Sequence, residues 1–167
     1  MKLVNIDSLQ LNVYKYKPVR AGSYMIVPAG LRGKHCLINP QNYNDDFCLV
    51  WCILIHQYWK ETDTHRERIS KYRRHFKTIN IANIKFPIEY DDIEKLEKQN
   101  KLVLNVYTVI QSAEGWSDVA PLRISKVNSL NAINVLLLQA HDKQHFCLIS
   151  NFSRLLMKKY SCINKVY

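Results

Sequence analysis

The chain has 167 residues, 47% of them apolar and 11% aromatic, which predicts one folded unit with a real core and excludes a disordered chain. Five cysteines at irregular spacing, Cys36, Cys48, Cys52, Cys147 and Cys162, argue against a disulfide framework and fit a reducing intracellular compartment, cytoplasm or nucleus. No apolar segment follows Met1-Lys2 and no run approaches the roughly 20 apolar residues that cross a bilayer, so no membrane association is expected. There are no paired CxxC motifs, so no metal is expected, and nothing signals a cofactor.

In chain order, Leu9, Leu11 and Val13 alternate with polar neighbours, and Tyr24 to Val27 is a second β-prone run, so residues 1–35 read as strands and loops. Residues 44–100 read as the helical part. Phe47 to Trp59 is apolar on two helical faces, Phe47/Trp51/Leu54/Tyr58 and Cys48/Cys52/Ile55/Trp59, which predicts a central helix buried nearly all round. Lys60 to Lys77 follows as a basic helix with Ile69, Tyr72 and Phe76 on one face. Phe86-Pro87 ends a strand-like piece, and Asp91-Asp92-Ile93-Glu94 starts a short helix that closes at Asn100.

Residues 102–151 read as the sheet part. Leu102, Leu104, Val106 and Thr108 alternate with their neighbours as a strand, Ser112 to Pro121 reads as an exposed loop, and Leu122 to Ile124 as a short strand. Ile133 to Gln139 is apolar on both faces, which predicts a central strand; the turn at 141–144 then leads into the strand His145 to Ser150. Residues 152–167 form a tail. The expected class is α+β, a buried helix packed on a mostly antiparallel sheet.

Two residues stand out chemically. The acidic turn Asn44-Asp45-Asp46 feeds Cys48 into the first turn of the apolar helix, where the dipole and unpaired N–H groups favour thiolate. His145 opens a late strand, and an early Cys with a distant His is how cysteine hydrolases are written in sequence. Cys52, one turn on, reads as a small buried hydrophobe, as do Trp51 and Trp59 as core aromatics; His56 and His141 read as structural.

The net charge of +10 attracts anions. Arg68, Lys71, Arg73 and Arg74 concentrate it on the basic helix, where the partners would be nucleic acid phosphates or an acidic protein. No DNA- or RNA-binding fingerprint accompanies them.

The run Asp45-Asp46-Phe47-Cys48-Leu49 resembles the Asp-x-x-Cys nucleophile turn of ovarian-tumour-type (OTU) cysteine proteases, with Leu104 to Tyr107 and His145-Phe146 following in that family's order. Over most of its length the chain also resembles the domain upstream of the family-B DNA polymerase in Maverick or Polinton-type elements and the related adintoviruses. The matching stretches are Gly22-Ser23-Tyr24, Leu37-Ile38-Asn39 with Gln41-Asn42, Cys48 with Trp51-Cys52, Ile84 to Pro87, Glu97 to Asn100, and His145 to Ile149 leading to Ser153-Arg154-Leu155-Leu156.

These resemblances imply a papain-like cysteine peptidase domain acting on ubiquitin, a ubiquitin-like tail or its own polypeptide. Cys48 would attack the scissile carbonyl and His145 would carry the proton. Asp45, or alternatively Asn151, would orient His145, and the amides at Cys48, with the side chain of Asn42, would meet the oxyanion. Where ovarian-tumour-type enzymes usually carry Gly, this chain has Asp46, a second acid that opposes thiolate formation. The alternative is a catalytically silent papain-fold module of a replication polypeptide, binding nucleic acid or protein through its basic face.

Overall fold

The structure, a computed structural model, describes residues 18–111, 117–127, 129, 131–140 and 143–157. The strand expected around Leu9, Leu11 and Val13, the residues His141 and Asp142, and Cys162 lie outside the described residues.

The elements in order are β1 (Arg20–Ala21), α1 (Ala29–Arg32), β2 (Leu37–Ile38), α2 (Cys48–Gln57), a 3₁₀ turn (Trp59–Glu61), a 3₁₀ helix (Ile69–Thr78), β3 (Ile88–Glu89), α3 (Tyr90–Asn100), β4 (Leu104–Gln111), β5 (Ser117–Arg123), β6 (Ile133–Ala140), β7 (Lys143–Ile149) and α4 (Phe152–Leu156). β1 and β3 form a small antiparallel ribbon, and the other strands form one sheet in the order β2-β7-β6-β4-β5. The α+β class holds, with a mixed sheet: β4 and β6 run parallel, and the remaining pairs are antiparallel.

β6 is the central strand because both of its faces are covered. Ile133, Val135 and Leu137 join the core that contains α2, while Leu136 and Leu138 join the second core with Leu31 of α1 and Leu155 of α4. The same two-residue period divides β7: Phe146 and Leu148 face α2, and Cys147 and Ile149 face the other way. α2 has no polar face because it lies between the sheet and the 3₁₀ helix. Cys48 through Ile55 are all buried, and Phe76 closes the outer side against Phe47 and Trp51, with ring centroids 5.1 and 4.9 Å away.

Four local expectations are corrected. Tyr24 to Val27 makes no ladder; Met25 and Val27 pack against the second core instead. The basic segment does not form one helix from Lys60. Residues 62–68 are turns and extended chain, and the helix begins only at Ile69, where Ile69 and Tyr72 bury at a three-residue interval. The piece before Phe86 is not a strand. The expected loop at 112–121 becomes strand from Ser117, with Pro121 tolerated because β5 is an edge strand bonded to β4 alone.

α3 matches its sequence signals, with Asp91 and Asp92 in the first turn and Lys98 in the last. It ends in a left-handed Lys101, φ 54°. Its Glu97 ties the helix to the sheet: Oε1 accepts from Leu104 N at 2.8 Å and Oε2 from Arg123 at 2.5 Å. Burial opposes ionisation of Glu97, but Arg123, Ser125 and the Leu104 amide outweigh it and hold its pKa below the usual value. Removing Glu97 leaves a guanidinium that is only 10% exposed without its partner. Glu97→Ala is expected to lower unfolding stability by about 3 kcal/mol, read from urea midpoints. Glu94→Ala, which breaks the exposed pair to Lys98, should leave the midpoint nearly unchanged.

Candidate functional site

The turn before α2 is organised by Asp45. Its Oδ1 accepts from Phe47 N at 3.0 Å, from Asn42 Nδ2 at 3.1 Å and from Trp51 Nε1 at 3.0 Å. A carboxylate two residues ahead thus performs the capping that Phe47 cannot, and Cys48 becomes the first residue of the helix. All three bonds serve the turn, and none reaches His145.

β7 meets α2 along an incomplete edge. β2 pairs only with Ile149 and Leu148, and further along Gly22 N donates to Gln144 O at 3.1 Å. Between these points the peptide groups of Phe146 face no strand. Thiols of α2 meet them instead: Cys52 Sγ donates to Phe146 O at 3.5 Å, and the Phe146 amide lies close enough to the Cys48 thiol to lower its pKa. The nucleophile candidate therefore rests on the amide that joins Phe146 to His145.

His145 points to the face opposite Phe146. Its Nε2 lies 2.7 Å from Asn39 Oδ1, and its Nδ1 lies 3.4 Å from Gly22 O. Asn39 Nδ2 donates to Met25 O at 2.8 Å, so the amide is oriented with Oδ1 towards the ring and Nε2 carries the proton. Among the described residues no hydrogen bond joins Cys48 to the imidazole. Burial raises the pKa of Cys147, on the face of His145, and the Cys48 thiol adds to that.

Cys48 and His145 are both fully buried, and burial drives each towards its neutral form. The Cys48 thiol is pushed up to about 12 by burial, opposed by the Phe146 and Leu49 amides and reinforced by Asp45 and Asp46. His145 is pushed down from 6.5 to about 4 by burial, opposed by the carbonyls of Gly22 and Ser23. The helix start that favours thiolate in the sequence is outweighed here by loss of water.

The cover over the site is residues 18–24. Gln144 clamps it from β7, accepting from Arg20 N at 2.5 Å and donating to Pro18 O at 3.0 Å. Asn42 Nδ2 donates to Gly22 O at 3.2 Å and to Asp45 O at 2.9 Å, linking the cover to the turn before α2. Its amide hydrogens are committed there and not to an oxyanion. Tyr24 sets its ring edge-on to His145, centroids 6.0 Å apart. A cleft of about 680 Å³, lined by Tyr24, Ile26, Arg32, Leu37, Asn39 and Glu67 among others, runs up to Tyr24 and Asn39, the two side chains beside the imidazole.

The remaining candidates lie elsewhere. Asn151 caps α4 by accepting from Arg154 N at 2.9 Å, six residues along from His145. Arg68, Lys71, Arg73 and Arg74 are exposed on and beside the 3₁₀ helix. Trp51 is core, whereas Trp59 is half-buried beneath Arg66, 4.1 Å from the ring centroid. His56 is half-buried, its pKa lowered by burial.

Sequence reasoning missed Asn39 as the partner of His145. The available signal was a polar residue that follows a short β run and is held extended by Pro40. Among the described residues no group of three or more His, Cys, Asp or Glu is placed to hold a metal, and no helix is long and apolar enough to cross a membrane. Comparison of the chain with family models, curated proteins and solved structures gives no match.

Two expectations follow. Unfolded His145 takes up its proton at higher pH than the folded residue, so its contribution to stability is complete above pH 6.5 and is lost as pH falls from 6.5 towards about 4. That difference amounts to about 3 kcal/mol in all. Urea midpoints over this window should therefore fall more steeply for the native chain than for His145→Asn. Cys48 in the folded chain should resist iodoacetamide at neutral pH and react at least about 10-fold faster once unfolded, read by peptide mass mapping.

Proposed function

We propose that the chain is a papain-fold cysteine peptidase or isopeptidase of the ovarian-tumour type, with Cys48 as nucleophile, His145 as general base and acid, and Asn39 as the group that orients His145. The observation that carries this reading is the arrangement around the Phe146 amide. The Cys opening a buried helix sets its thiol against that amide, and the adjoining His145 has Nε2 held by an oriented Asn at 2.7 Å. With the proton on Nε2, Nδ1 is the proton acceptor once Gly22 O, 3.4 Å from it in the closed arrangement, moves away.

In the reaction, the thiol proton passes to Nδ1 as sulfur attacks the scissile carbonyl. The imidazolium then protonates the leaving amine, and water hydrolyses the thioester. The Cys48 N–H, one of the first-turn amides of α2 without an intrahelical acceptor, is aimed at the developing oxyanion. The cleft beside Tyr24 and Asn39 receives the substrate, which is ubiquitin, a ubiquitin-like tail or the chain's own polypeptide. Because both reacting groups are buried in the closed arrangement, turnover requires residues 22–24 to swing off His145 and admit both substrate and water. In the opened site the imidazole regains solvent and the thiol loses its burial penalty.

The test is intact-mass analysis after incubation with ubiquitin and ubiquitin-like proteins carrying a C-terminal thiol-reactive group, and a parallel incubation of the chain alone for self-cleavage. An adduct or cleavage that disappears in Cys48→Ala and His145→Ala, and persists in Cys52→Ala, supports the reading. Asn39→Ala should reduce the rate about 10- to 100-fold while Asn151→Ala leaves it unchanged. Folded native chain that gives neither product contradicts peptidase activity.

A further inference from the structure

The 3₁₀ helix is not absorbed by the site. Its three-residue period eclipses side chains at i and i+3, which sorts the segment into columns. Ile69 and Tyr72 are buried in one column, and Phe76, in a second, seals α2. The third column is Lys71, Arg74 and Lys77, all exposed, and exposed Arg68 is the extended residue just before the helix, continuing the row at its start. At a rise of about 2.0 Å per residue, successive members are about 6 Å apart. The row is therefore a regularly spaced line of cations, with exposed Arg73 one residue to its side.

The charge is not cancelled locally. Between residues 60 and 77 there are seven Lys and Arg against three Asp and Glu. Within the row, Arg74 pairs with Glu61 at 2.6 Å, but the two side chains are 71% and 41% exposed. Such a pair contributes little and can give way to a stronger anion. Lys71 Nζ rests on the carbonyl of Thr64, a neutral partner.

The face also lacks what an apolar partner or a lipid surface would need. Among the described residues the large exposed hydrophobic ones, Ile26, Tyr43, Ile124, Val127, Leu156 and Met157, all lie outside this segment. A partner that offers repeated charge and no apolar anchor is a polyanion.

We propose that Arg68, Lys71, Arg74 and Lys77 form a phosphate-binding row that holds the backbone of a nucleic acid without reading its sequence. The row positions the polymer through phosphate contacts alone. This is independent of the peptidase reading, since none of the four residues lies near Cys48 in sequence or forms part of the site.

The experiment is fluorescence anisotropy of the full chain with a labelled oligonucleotide of mixed sequence, single-stranded and duplex, across a salt series. Four phosphate contacts give a slope of log Kobs against log salt of about −3 to −4 on duplex, which is about 100-fold weaker binding at 200 mM than at 50 mM salt. Replacing Arg68, Lys71, Arg74 and Lys77 with Gln should abolish this binding. Each single change should flatten the slope by about 1. The control removes the same charge from another exposed region, Lys95→Gln, Lys98→Gln, Lys101→Gln and Lys126→Gln, and should retain most of the affinity. Circular dichroism checks that both variants fold. Equal loss in the two variants would mean that only net charge matters and would overturn the row. So would absent or salt-insensitive binding, or equal affinity for polyglutamate.

Discussion

The unpaired stretch of β7 around Phe146 is the constraint on which this structure turns. A strand that loses its neighbour at Leu148 exposes an N–H and a carbonyl that cannot be left buried and unpaired without a cost of about 1–3 kcal/mol each. α2 supplies the partners through Cys48 and Cys52, one turn apart on the same helix face. The thiols therefore have a structural task that is satisfied before any chemistry, and it explains how two cysteines come to lie along one strand edge. The same contact sets the first residue of α2 against the peptide that follows His145, whose side chain points to the other face of the strand.

Burial then decides the protonation state. A thiol near 12 and an imidazole near 4 form a pair that is neutral over the whole physiological range. The acids Asp45 and Asp46 deepen this state, while the helix start and backbone amides oppose it without prevailing. Both shifts have desolvation as their largest cause, and for His145 the cover contributes directly, through Gly22 and Tyr24. That cover is held by backbone and amide bonds from Gln144 and Asn42 rather than by a large apolar contact. Directional bonds of this kind can be exchanged for water at modest net cost, so the cover is separable from the two buried groups beneath it. Gly22 lets the cover pass close to the turn before α2, since a Cβ there would stand 2.5 Å from Asp46 Oδ1 and require that side chain to turn aside.

Much of the architecture was legible along the chain. The apolar run from Phe47 to Trp59 could only be a helix enclosed on all sides, and the doubly apolar run from Ile133 could only be a strand covered on both faces. α3 announced itself through its acidic first turn. The elements that were misjudged depend on partners distant in sequence. β5 is a strand because β4 pairs with it, despite Pro121, and Tyr24 to Val27 stays out of the sheet despite its β-prone residues. The basic segment is three-residue periodic because Ile69 and Tyr72 must both reach the core beside Phe76, a choice that the sequence, equally compatible with an α-helix, does not express.

For the candidate site, the sequence by itself determined which residues are candidates for chemistry: a Cys at a helix start, a late His on a strand, and acids in the turn before the helix. These follow from local patterning and side-chain type. Only the tertiary structure decided what those groups face. It assigned Asp45 to the helix turn, Asn42 to the cover and Asn151 to the cap of α4, and gave His145 to Asn39, more than a hundred residues earlier. Hydrogen-bond partners and desolvation depend on which elements close around a group, and that closure is a property of the packed chain that no local stretch of sequence contains.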